Sequence, residues 1–208
     1  MAILYSFRRC PYAMRGRMAL SVSGIPYEHR EILLRDKPES MLAASPKGTV
    51  PVFIKDDGGV IDESLDLATW ALSCHDPLGW MNGYDPALTA QNDGSFKTHL
   101  DQYKYASRYD PAKKRGDVDL SHRDAACAIL NDLNQRLRGR SYLSGETQSL
   151  TDIAIFPFIR QFAAVQPQWW KSSPFEDLRA WLDRHLASEL FAAIMTKRPL
   201  WVDQQPQL

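Results

Sequence analysis

The chain has 208 residues, 44% of them hydrophobic, and its 25 basic side chains balance 25 acidic ones. That is enough apolar material for one large domain or two small ones, and the zero net charge argues against a binder of nucleic acid that works by bulk phosphate attraction. No apolar run approaches the ~20 residues of a membrane span. The opening MAILYSFRR is too short and wrongly flanked for a secretory signal. The cysteines, Cys10, Cys74 and Cys127, are odd in number and widely spaced, which fits a reducing cytoplasm rather than a disulfide framework. No C-x-x-C and no H-E-x-x-H occurs, and the five histidines (His29, His75, His99, His122, His185) form no close pair in sequence, so no metal site is expected.

ILYSF reads as a strand, and Pro11 to Val22 as a helix, with Met14, Met18 and Val22 at helical spacing and Gly24 past its end. PYEHREILL is a second strand. DKPESMLAA is a short helix with Asp36 as its N-cap and Pro38 in its first turn. VPVFIK, the turn DDGG and VIDE make a hairpin, and Ser64 to Cys74 a third helix. The order, βαβ then αββα, implies a mixed sheet with a helical cover. HDPLGWMNGYDP then reads as a linker, and the rest is helical. Phe96, Leu100 and Tyr103 mark one helix, and Ala125, Ile129, Leu133 and Leu137 another. Ser149 to about Val165 is a third, with Ser149 and Asp152 as its capping box. Phe175 to Leu186 is a fourth, and a short one runs to Met195. DPAKKRGDVDLSHRD is a loop whose Lys113–Arg115 run is a solvated face. The expected division is residues 1–75, a linker 76–87, and an all-helical domain 88–208.

Cys10 stands directly before a proline that opens a helix. Backbone N–H groups without intrahelical partners converge there, and the helix dipole adds partial positive charge. Both favour thiolate over thiol, and Arg8 and Arg9 add to this if they point inward. A helix-terminal cysteine can fall from ~8.5 to between ~3.5 and ~7.5. A drop of roughly three units raises thiolate abundance at neutral pH about thirtyfold, while a Brønsted slope of ~0.4–0.5 lowers intrinsic nucleophilicity by a similar factor. The sulfur therefore gains little as an attacking group and much as a leaving group. A resolving cysteine three residues on would complete a dithiol, but that position is Ala13. A second thiol must come from outside, and glutathione is the cytosolic candidate. Simple packing of Cys10 is the alternative. Cys74 and Cys127 read as buried helix-face residues.

The segments RCPYAMRGRMAL, LRDKPE, SPKGTVPVF and IDESLDLATWAL, and more loosely SLTDIAIFPFIRQF, resemble the glutathione S-transferase family. The active-site region is most similar to the omega class and its thioltransferase relatives. The resemblance implies an α/β thioredoxin-like N-terminal domain and an all-α C-terminal domain. It implies Cys10 as the residue that forms a mixed disulfide with glutathione, and Pro51 as a cis-proline presenting the Val50 backbone to the peptide. It implies Glu63 for the γ-glutamyl ammonium, Ser64 for its α-carboxylate at a helix start, and Lys37 for the glycyl carboxylate. Glutathione would be a co-substrate and no metal would be needed. Of the residues in YKYASRY, Tyr105, Arg108 and Tyr109 lie off the buried stripe and are candidates for contact with an organic or disulfide second substrate. Trp169 and Trp170 could cover that substrate's site or only pack. A homodimer is the family habit.

Three readings follow. The first is a glutathione-dependent thiol transferase acting through Cys10. The second is conjugation of glutathione to electrophiles, with Tyr5 or Ser6 activating the ligand as in other classes. The third is a non-catalytic glutathione-binding module.

Overall fold

A computed structural model describes residues 1–203, which form two compact units. The first unit is residues 1–79 together with residues 188–203; the second is Trp80–Ala187.

In the first unit β1 (Ile3–Ser6) leads into α1 (Pro11–Val22), which crosses over to β2 (Glu28–Glu31). β2 pairs parallel with β1, Leu4 against His29. α2 (Glu39–Ala44) precedes β3 (Val52–Ile54), which pairs antiparallel with β1, Leu4 against Phe53, and β4 (Val60–Ile61) turns back on β3. The sheet order is β2-β1-β3-β4. α3 (Ser64–Cys74) packs on α1, and α10 (Glu189–Ile194) packs there too. Enclosed on several sides, α1 buries Ala13 through Leu20, including Arg15 and Arg17. Gly16 permits the approach of α3: a Cβ there would stand 2.8 Å from Leu67 Cδ2. Gly24 at φ +64° ends α1 in the left-handed conformation that glycine adopts without penalty.

The helix expected from Asp36 starts later. Pro38 is the N-cap of α2, extended at ψ 141°, while the Asp36 N–H donates to the Leu33 carbonyl at 3.0 Å. The residue before a proline is pushed out of the α region, which disfavours helix at Lys37 and delays its start.

The second unit contains a 3-10 turn (Trp80–Gly83), then α4 (Pro86–Gln91), a π-helical turn (Asn92–Phe96) and α5 (Lys97–Lys104) in one run. α6 (Leu120–Arg136), α7 (Leu150–Ala163), α8 (Pro167–Ser172) and α9 (Glu176–Leu186) follow. α7 is buried from Leu150 to Ile159, including Pro157, and α4, α5 and α9 pack around it. The Ser149–Asp152 capping box forms, and Asp152 does more than cap. Its carboxylate accepts from the Ser149 N–H (2.9 Å), the Leu143 N–H (2.9 Å) and Trp181 Nε1–H (2.8 Å), tying three parts of the unit to one buried group.

The boundaries differ from expectation in two ways. Trp80, placed in the linker by its glycines and prolines, is fully buried. The terminal segment, assigned to the helical domain 88–208, returns to the first unit through α10. The buried face of α6 is Ala126, Leu130, Leu133 and Asn134, with the C-cap Leu137 also buried; Ala125 and Ile129, one position back, are exposed and half-buried. Cys74 is exposed at the end of α3 and Cys127 half-buried, so neither is a core residue. No helix among the described residues is long and apolar enough to cross a membrane.

Candidate active site

Cys10 is the N-cap of α1, with extended backbone (φ −71°, ψ 124°). Its N–H closes a tight turn on the Phe7 carbonyl (3.0 Å), and its own carbonyl starts the helix by accepting from the Met14 N–H (2.9 Å). The sulfur makes no capping bond to the helix. Sγ instead stands 3.8 Å from the Val50 carbonyl, at the reach of a weak S–H···O contact. The Val50–Pro51 peptide bond is cis. Cys10 and the loop before β3 thus meet at one place.

Lys37 is half-buried over the same loop, its ammonium 3.2 Å from where a Cβ on Gly48 would stand. Gly48, at φ +61°, is both conformationally suited to that turn and small enough to accept the lysine. Ser64 is the first residue of α3 and is buried; its hydroxyl accepts from the fully buried Arg15 guanidinium at 3.1 Å. Glu63 is the N-cap of α3 but makes no side-chain capping bond. Its exposed carboxylate pairs with Lys47 at 2.8 Å, and Lys47 also reaches Asp62 at 3.0 Å. These bonds, to Glu63 first, hold the Lys47 ammonium above its ordinary range. Asp62 is held below the usual carboxylate range, chiefly by the Ser45 hydroxyl.

The two hydroxyls near the end of β1 are committed elsewhere. Tyr5 is buried, its O–H donating to Ser40 Oγ (2.8 Å) and accepting from Arg30 (2.6 Å). Ser6 is fully buried, its hydroxyl accepting from Arg17 at 2.5 Å. Arg9 is exposed, its guanidinium over the Phe7 ring, and Arg8 is half-buried.

Tyr105, Arg108 and Tyr109 belong to the second unit and are not on a helix that continues α5. α5 ends at Lys104, and Ala106–Arg108 is a 3-10 turn. Arg108 lies over the Tyr105 ring at 4.2 Å, and Tyr109 is 56% exposed. Trp169 is covered by Arg123 at 4.7 Å, and Trp170 is buried. His99 and His122, far apart in sequence, meet Nδ1 to Nδ1 at 3.0 Å, the geometry of one N–H···N hydrogen bond. Among the described residues no group of three or more potential ligands could hold a metal ion.

Sequence reasoning missed Arg15, Arg17 and Lys47. Basic residues are presumed exposed, and the two arginines occupy helix positions whose burial only the packing of α3 and α10 decides.

Residues 4–77 match the model for the glutathione S-transferase N-terminal domain, and residues 121–184 that for its C-terminal domain. The chain is 28% identical over 197 residues to pyrimidodiazepine synthase of Drosophila melanogaster, covering 87% of this chain and 75% of that protein. It is 25% identical over 194 residues to glutaredoxin 2 of Escherichia coli K12, covering 81% and 88%. The crystal structure of glutathione transferase Omega 3C from Trametes versicolor superimposes with a TM-score of 0.74 at 21% identity, over 96% of this chain and 90% of that one.

Proposed function

Because this chain belongs to the glutathione S-transferase family, we propose that it is a glutathione-dependent thiol transferase in which Cys10 carries glutathione as a mixed disulfide. The observation that carries this reading is the placement of Cys10 at the head of α1 against the Val50 carbonyl, while the Tyr5 and Ser6 hydroxyls are engaged with Ser40 and Arg17. The likeness to a glutaredoxin, at low identity, points the same way.

In this reading the Cys10 thiolate attacks the glutathione sulfur of a mixed disulfide R–S–SG. The S–S bond breaks, the leaving RS⁻ takes a proton from solvent as RSH, and Cys10 holds glutathione. A second glutathione, as thiolate, attacks that same glutathione sulfur; glutathione disulfide forms and Cys10 is expelled. The substrate disulfide is reduced and glutathione oxidised. A helix N-terminus favours the anion and so speeds this expulsion, since a stable thiolate leaves faster.

Binding follows from the charges in the unit. The Val50 backbone pairs with the tripeptide like an added strand, and Lys37 takes the glycyl carboxylate. Ser64, with Arg15 behind it, takes the γ-glutamyl α-carboxylate. Glu63 takes the ammonium, in the position of the Lys47 ammonium that now pairs with it. Tyr105, Arg108 and Tyr109 are proposed contacts for the second substrate, an organic or disulfide molecule. The test is turnover of a glutathionyl mixed disulfide by Cys10→Ala: activity falls to background, whereas full activity in that variant refutes the mechanism.

A further inference from the structure

The turn that delivers Cys10 is gripped by two buried charges of opposite sign. Arg17 is 1% exposed, and its guanidinium donates to the Arg8 carbonyl (2.7 Å), the Phe7 carbonyl (3.4 Å) and the Ser6 hydroxyl (2.5 Å). Glu31, 8% exposed, accepts from the Arg8 N–H at 2.6 Å. Both backbone groups of Arg8 are therefore held by side chains. The Phe7 carbonyl that Arg17 reaches is the one that accepts the Cys10 N–H. The returning C-terminal segment meets the same two residues. Arg17 Nε–H donates to the Ile194 carbonyl (3.2 Å), and the Trp201 N–H donates to the Glu31 carbonyl (2.7 Å).

We propose that Arg17 is a positioning residue for Cys10, with Glu31 as its counter-charge: it fixes the turn before the sulfur and supplies the positive charge the thiolate faces. The inference rests on Cys10 being the reacting sulfur. A cation so buried is expensive to keep. A hydrophobic helix position used for arginine rather than leucine calls for a reason, and the four acceptors around its guanidinium all lie on the Ser6–Arg8 stretch or the C-terminal arm. Burial pushes Arg17 down to about 10, opposed by the pull of Glu31, Tyr27 and Cys10, with Arg198 adding like charge. His29 also faces the site, its Nε2 3.0 Å from the second Glu31 oxygen. Arg17 and the Cys10 N–H share the Phe7 carbonyl, so the guanidinium stands beside the turn that carries the sulfur, where a cation favours the thiolate. Removing the Glu31 charge leaves the guanidinium less shared.

The test is the pH profile of Cys10 carbamidomethylation by iodoacetamide in the full chain, resolved from Cys74 and Cys127 by peptide mass. Arg17→Met raises the apparent pKa of the profile by about one unit, a roughly tenfold loss of rate below it. Arg17→Lys keeps most of the charge and stays close to the parent. Glu31→Gln keeps an acceptor on the Arg8 N–H but removes the anion, and shifts the profile downward. Opposite shifts for Arg17→Met and Glu31→Gln are the signature; a purely structural role moves melting temperature and leaves both profiles unchanged, which overturns the proposal. If Arg17→Met does not fold, Glu31→Gln decides alone: an unchanged or upward profile refutes it. This readout uses no glutathione, so it fails independently of the thiol-transfer reading.

Discussion

Replacing Asp152 by alanine tests how the helical unit is held together. The carboxylate is fully buried and serves four donors from three places: the Ser149 N–H and hydroxyl at its own helix start, the Leu143 N–H in the preceding loop, and Trp181 Nε1–H on α9. Each buried donor left unpaired costs about 1–3 kcal/mol. Part of that is offset, because burial lifts the Asp152 carboxyl above its ordinary range and so the ion itself is held at a cost. The net expectation is a loss of roughly 3–5 kcal/mol, against a total stability of about 5–15 kcal/mol for a typical domain. For a chain of this length that is a fall in melting temperature on the order of 10 °C. Asp152→Asn keeps one acceptor oxygen but turns an NH2 toward donors, and should lose about half as much. Urea unfolding followed by tryptophan fluorescence reads both variants, since Trp181 is itself a partner. A loss below about 1 kcal/mol for the alanine variant would refute the view of Asp152 as the hub of the unit.

His185 gives a pH dependence. Burial, with Arg184 beside it, pushes its imidazole down to about 3, and it is packed between Phe156 and Trp181. The unfolded chain takes up that proton near pH 6.5 and the folded one near 3, so stability falls as pH drops through that window. His185→Leu should flatten the acid limb of a pH–stability curve; an unchanged limb counts against the assignment. Glu63→Gln should raise KM for glutathione about tenfold with kcat nearly constant, because a charge on the ligand's ammonium acts equally on ground and transition states. Steady-state kinetics reads this directly, and an unchanged KM removes Glu63 from the binding site.

Much of the first unit was legible because its elements are locally determined. Pro11 opens α1, Gly24 closes it, and Ser64 to Cys74 follows its own periodicity; all three match the structure. The candidate site residues came from the sequence as positions, without their partners. Cys10, Val50, Lys37, Glu63 and Ser64 were named from motifs, whereas Arg15 reaches Ser64, Lys47 reaches Glu63 and Arg17 reaches the turn before Cys10 by contacts that no local pattern announces. Proline misled at Pro86, which reads as part of a linker yet opens α4 in the first helical turn, the one place a helix tolerates it. The off-by-one face of α6 has a related cause: Ala125 and Ala126 are equivalent in composition, and tertiary packing chose between them. The C-terminal return was invisible because α10 is short and its partners lie some 170 positions earlier, as in the Arg17–Ile194 bond.

Intact mass after incubation with glutathione disulfide is the most direct trial of the central claim. The native chain should gain the mass of one glutathione, the gain should vanish in Cys10→Ala while persisting in the Cys74→Ser, Cys127→Ser double variant, and added glutathione should reverse it. An adduct that forms equally well without Cys10, or none at all on a folded native chain, contradicts the account.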